Sequence, residues 1–193
     1  MIVDKNTKIG LNNFIVELHD YQIEWEQNAK ETIEYFKNIF GDLIVDVEHI
    51  GSTSIKSIKA KPIIDLVVGI KDFNNLDNIM EKMKNNGLTY CPKRDGPESR
   101  MFVIGDLNGI LTHIIHLVEY NGNEWNNKIN FRDYMNNNIE KAKEYEKVKI
   151  KSMENNTDNV PNYHKSKEQF VIEKIKEANN WKKDHDFIVE TLV

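Results

Sequence analysis

The sequence predicts a mixed α/β (α+β) domain: a β-sheet flanked by helices, with a helical C-terminal portion. Three observations carry this expectation. A dense apolar run at 63–70, opened by Pro62, reads as a central strand covered on both faces. Two strand-like segments, 100–104 and 111–120, are separated by Asp106, Leu107, Asn108 and Gly109, and the Asn-Gly pair signals a hairpin. After Gly122 the texture turns helical and stays so.

Taken in chain order, residues 14–18 alternate moderately and predict a first short strand. From Asp20, read as an N-cap, apolar residues recur at Tyr21, Trp25, Ala29, Ile33, Phe36 and Phe40. That spacing of three and four makes one face of a helix, which Gly41 ends. Residues 43–50 are β-branched and predict a strand with Leu43, Val45 and Val47 on one face and Asp46 and Glu48 on the other. A loop over 51–61 leads to the central strand. Leu76, Ile79, Met80 and Met83 predict a second helix over 73–86, stopped by Gly87. Helices are then expected near 125–137, 139–153 and 162–181, with a break at 155–161. No repeat or low-complexity linker divides the chain, so one domain is expected over 1–193. Its core spans about 14–178 and a loosely held tail about 182–193.

At 193 residues, with 39% hydrophobic and 30% charged side chains, the composition is globular. Lys and Arg number 26 against 31 Asp and Glu, a formal charge of −5. An acidic balance argues against a nucleic-acid footprint but allows a local basic pocket for a small anion. The one cysteine, Cys91, excludes an internal disulfide and a multi-cysteine zinc site. No apolar run approaches the roughly 20 residues of a membrane span. The opening segment has no basic end followed by an apolar core, so a cytoplasmic protein is expected.

Three features put polar chemistry on otherwise apolar strands. His49, Ile50, Gly51, Ser52, Thr53 and Ser54 place small, hydroxylic residues directly after a strand. Such a turn can cradle a phosphate, or serve as an ordinary tight turn with a helix cap. Asp65 is a carboxylate inside the apolar run. It must be paired, hydrogen-bonded, metal-bound or open to a cleft, and Lys61 four residues earlier can pair with it or meet an anion. His113 and His116, three apart on a strand, point to opposite faces, so at most one serves a shared site.

The string from Glu48 to Ser54, with Lys61-Pro62-Ile63-Ile64-Asp65, resembles the signature of the GrpB (UPF0157) family. So do His113 to His116, Phe131 to Tyr134, and Tyr145, Lys149, Tyr163, Lys167 and Phe170 in the tail. The resemblance covers roughly 14–178 and implies a nucleotidyltransferase-like core, in which a Gly-Ser turn leads into a helix, whose end can hold phosphate, and a later strand bears two carboxylates. Gly51-Ser52 matches the turn and Asp65 the first carboxylate, but Val67 stands where the second belongs. The resemblance then implies Asp65 as ligand for Mg²⁺ or Mn²⁺, with His116 or Glu48 as base or substitute ligand. It implies Gly51, Ser52, Thr53, Ser54, Lys61 and Arg100 around phosphates, with Arg132 as a further pocket residue. Tyr163 and Lys167, four apart on a helix, face the same way and are expected to reach the same cleft. The expected partner is a nucleotide or small phosphorylated metabolite, either for transfer or, with Val67 marking a lost ligand, for binding alone.

Overall fold

The computed structural model describes residues 9–74 and 76–191, with side chains through His185. Among these, six strands form one sheet: β1 (Leu11–Asn12), β2 (Asp46–Ile50), β3 (Ile64–Ile70), β4 (Thr89–Tyr90), β5 (Ser99–Gly105) and β6 (Ile110–Glu119). The helices are α1 (Ile23–Phe40), α2 (Asp77–Asn85), α3 (Asn123–Asn137), α4 (Ile139–Glu154) and α5 (Val160–Thr191). Strand order is β2-β3-β6-β5-β4, with β1 pairing the start of β6. Only β3 and β6 run parallel, so the sheet is mixed as expected. No helix among the described residues is long and apolar enough to cross a membrane.

Strand alternation divides the core. Leu66, Val68, Ile115 and Leu117 face α1 and α2, packing with Trp25, Phe36, Phe40 and Met83 in the largest apolar cluster. The opposite face carries Ile50, Val67 and Val118 beneath Trp125 of α3. Gly69 makes that second layer possible, because a Cβ there would lie 2.8 Å from the Trp125 ring. Each face of β3 is thus buried, which is why its sequence shows almost no alternation.

Several local expectations need correction. Residues 14–18 form no strand: Val16 N–H donates to the Thr157 carbonyl and His19 pairs with Ala60, so the segment is tied to two separate partners. Asp20 does not cap α1. Gln22 holds that position and Asp20 instead pairs with Lys59 at 2.6 Å. Leu43 lies in a 3-10 turn (Gly41–Leu43) and Val45 is exposed, so β2 begins only at Asp46. Helix α2 starts at Asp77, four residues later than expected at 73. The 106–109 hairpin is present, but its positive φ falls on Gly105 at +117° and not on Gly109. The three C-terminal helices lie where periodicity put them. Asn159 precedes the last of them, its side chain accepting from the Asn162 N–H at 3.0 Å. Of the expected tail at 182–193, the helix backbone continues to Thr191, and 192–193 lie outside the described residues.

His113 is fully buried on the α1 face, with Nε2 3.1 Å from Thr32 Oγ1 and Nδ1 3.0 Å from Thr112 Oγ1. Burial, then the nearby His49, pushes its pKa down to about 4. The folded value lies below the unfolded one, so between about pH 6.5 and pH 4 the unfolded chain binds the extra proton. Stability therefore falls as pH drops through that window, by up to about 1.4 kcal/mol per pH unit, and is unaffected by this group above it. Urea unfolding at pH 4.5 and 7.5 should show that loss, and His113→Asn should reduce it. An identical loss in the variant would assign the effect elsewhere.

Candidate functional site

The site starts from the parallel pairing of β3 with β6, which places Asp65 opposite Ile114 and Val67 opposite His116. These four share the sheet face turned toward α3, α4 and α5. Asp65 Oδ1 lies 3.7 Å from His116 Nε2, an ion-pair distance too long for a good hydrogen bond. His113 points the other way, toward α1, so the two histidines do sit on opposite faces. At the end of β2, Gly51 turns with φ +72° and passes directly over the carboxylate. A Cβ there would lie 2.4 Å from Asp65 Oδ2.

The turn after Gly51 is a single 3-10 turn, Ser52–Ser54, and no α-helix follows it. Its aligned N–H groups are too few for the helix-end phosphate cradle that the resemblance implied. Ser52 instead donates its hydroxyl to Tyr145 OH at 3.3 Å, linking the loop to α4. Lys149, one turn further along α4, buries its ammonium against the Lys59 carbonyl and the Tyr145 ring. These contacts hold loop 51–61 against the helical layer.

Between the sheet and the three C-terminal helices lies a cavity of about 710 Å³, within the usual size of a small-molecule site. Its floor includes Gly51, Lys61, Asp65, Ile114 and His116; Phe131, Tyr145, Tyr163 and Lys167 roof it. Lys93 and Arg94, exposed on a 3-10 turn (Pro92–Arg94), form part of the rim. Five cationic residues (Lys61, Lys93, Arg94, Lys128 and Lys167) therefore face one carboxylate, Asp65, in a chain whose net charge is −5.

Lys61 and Lys167 both lie against the face of Tyr163, at 5.5 and 5.3 Å from its centroid. Burial, then the Lys167 charge, pushes the Lys61 amine down to about 8. Among the described residues, neither Lys61 nor Lys167 has an ion-pair partner, and neither do Lys93 and Arg94. Burial works against ionisation of Asp65, but His116, Lys61 and Lys167 outweigh it and hold the carboxyl below its usual range. Burial, then the Lys128 charge, lowers His116, so it stands neutral at pH 7 beside an ionised Asp65.

Of the residues expected at the site, the structure brings together Gly51, Ser52, Lys61, Asp65, His116, Tyr163 and Lys167. Others lie elsewhere. Glu48 forms an ion pair with Arg132 Nη1 at 2.6 Å, and Arg132 also donates to the His49 carbonyl and to Asp133. With Thr53 and Ser54 they line a separate recess between α1 and α3. Arg132 thereby braces the edge strand β2 against α3, and Glu48 is no substitute ligand beside Asp65. Thr53 is buried, 2.9 Å from His49 Nε2, and the Ser54 hydroxyl bonds back to the Gly51 carbonyl. Arg100 pairs with Leu117, which puts it on the α1 and α2 face, its guanidinium 5.0 Å over Phe73. The sequence reading missed Lys93, Arg94 and Lys128, and named Tyr145 without placing it at the site. Lys128 stands three residues before Phe131, another residue lining the cavity, and that shared helix face was the signal there to use.

The donor set was also expected to take Mg²⁺ or Mn²⁺. Val67 fills the second-carboxylate position as a fully buried side chain packed with Ile50, Val118 and Trp125. Among the described residues no three His, Cys, Asp or Glu side chains gather as metal ligands. A two-ion centre does not fit these residues.

Fold and cavity together define an α+β protein that carries a cation-lined pocket between a mixed sheet and a C-terminal helical layer. A family profile described as GrpB protein matches residues 15–177. The chain is 34% identical over 172 residues to the glutamate-rich protein GrpB of Alkalihalophilus pseudofirmus, covering 88% of this chain and 99% of that one. It is 32% identical to UPF0157 protein YqkA of Bacillus subtilis, covering 87% of this chain and 48% of that protein. The crystal structure of GrpB from Enterococcus faecalis superposes with a TM-score of 0.76 at 27% identity, covering 86% of this chain and 99% of that one. The chain belongs to the GrpB family.

Proposed function

We propose that the cavity binds a small phosphorylated metabolite or a nucleotide, with its phosphate among Lys61, Arg94 and Lys167. The observation that supports this is the charge imbalance at the site: four lining cations without an ion-pair partner among the described residues, Lys61, Lys93, Arg94 and Lys167, against one carboxylate, Asp65, while the fifth, Lys128, is paired with Glu124. Enclosure strengthens such an attraction, because the field is poorly screened there. An arriving dianion relieves the lysine repulsion that already lowers Lys61. Binding at 100 times the dissociation constant adds about 2.7 kcal/mol to stability, easily seen as a thermal shift.

Asp65→Asn tests the reading and separates it from its rival. If phosphate meets the cations directly, removing the one carboxylate strengthens binding several-fold, with or without Mg²⁺. A second reading is favoured by the Asp65–His116 pair set under the same cations: a nucleotidyl or phosphoryl transferase in which His116 acts as base. It expects the opposite sign, with Asp65→Asn abolishing a stabilisation that itself requires Mg²⁺ or Mn²⁺. Loss of metal-free phosphate binding in Asp65→Asn would overturn the first reading.

A further inference from the structure

Resting on the phosphate-binding reading, we infer that the ligand is amphipathic: a phosphate ester of an apolar or planar aromatic group, and not of a polyol or open sugar. The inference comes from how the cavity wall changes along α5. The lining residues Val160, Tyr163, His164, Lys167, Val171 and Ile175 recur at helical spacing, so one face of α5 runs the length of the cavity. At a rise of about 1.5 Å per residue, Lys167 and Ile175 lie about 12 Å apart along the axis.

At the N-terminal part of that face the cations meet: Lys61 and Lys167 both lie over the Tyr163 ring, at 5.5 and 5.3 Å from its centroid. The lowered His164 imidazole beside it, from partial enclosure and then the charges of Lys61, Lys167 and Arg94, agrees with that placement. The other part is apolar. Val171 and Ile175 pack against the cluster containing Phe131 and Tyr145, and Ile50 lies on the sheet side. The one lining cation carried by α3, Lys128, is already paired with Glu124 at 3.1 Å. Unmatched cationic charge is therefore confined to one end; the far end offers mostly apolar surface, its uncharged polar neighbour there being Asn127, whose Oδ1 already accepts from Asn179 at 2.7 Å. A polyol there would lose its hydrogen bonds to water, whereas an aromatic or aliphatic group gains by burial.

The test is a calorimetric series on the full chain with orthophosphate, glycerol 3-phosphate, phenyl phosphate and 1-naphthyl phosphate, repeated on Ile175→Ser. Burial of the aromatic group should make 1-naphthyl phosphate bind at least about tenfold tighter than glycerol 3-phosphate. Ile175→Ser should shrink that ratio while leaving orthophosphate unchanged. Equal affinities across the wild-type series would overturn the amphipathic ligand and leave the phosphate reading standing. So would a ratio unmoved in Ile175→Ser. Failure of every compound to bind, orthophosphate at millimolar concentration included, would sink the phosphate reading and this inference together.

Discussion

Gly51→Ala is expected to destabilise the protein by about 2 kcal/mol or more and to abolish ligand stabilisation with it. Two independent effects act at this position. The backbone has φ +72° and ψ −171°, a region that non-glycine residues pay about 1–3 kcal/mol to occupy. The new Cβ would also lie 2.4 Å from Asp65 Oδ2 and 2.8 Å from Asp65 Cβ, so the carboxylate or the turn must move. Neither can do so freely, because Ser52 is linked to Tyr145 and Asp65 sits within the β3 ladder. Gly87→Ala is the control: its φ is +84°, but nothing lies within 4 Å of the added Cβ. Urea unfolding and a phosphate thermal shift on both variants separate the effects. If Gly51→Ala costs no more than Gly87→Ala and still binds phosphate, the close approach over Asp65 has no functional weight.

Lys167→Glu is expected to weaken orthophosphate binding about 100-fold or more, with a stability change within about 0.5 kcal/mol. Reversal replaces an attraction by a repulsion. At about 4 Å and an effective dielectric near 20, each is of order 4 kcal/mol before screening. The fold is spared because Lys167 has no ion-pair partner to lose and lies against the Tyr163 and Tyr145 faces, half-buried on α5. The new carboxylate also has Lys61 beside it, so one repulsion among cations is removed. Titration calorimetry at low and high salt checks this, and the wild-type affinity should fall as salt rises. Unchanged affinity in Lys167→Glu would move the phosphate away from α5.

Much of the fold was legible because long elements repeat their pattern. Helix α1 showed Trp25, Ala29, Phe36 and Phe40 at helical spacing, and all four are buried. The C-terminal helices were legible for the same reason. Strands β1 and β4 are two residues long, too short for any alternation to appear. Residues 14–18 misled because alternation there reflects Val16 turning inward toward Val160 and Tyr163, with Phe14 and Ile15 left exposed, and no neighbouring strand.

The candidate site divides along the same line. Strand period alone placed His113 and His116 on opposite faces. Helix period alone placed Tyr163 and Lys167 on one face, and the burial of a charge in an apolar run singled out Asp65. What the sequence could not decide was which face each helix covers. Arg100 was assigned to the pocket, but its pairing with Leu117 turns it to the α1 side. Glu48 was offered as a ligand, but α3 brings Arg132 to it first. Lys93 and Arg94 reach the rim only because β5 and β6 fold back and pair before the chain enters α3. Periodicity is a property of one element and is written in neighbouring residues. Convergence depends on pairings between residues tens of positions apart, and only the packed chain contains them.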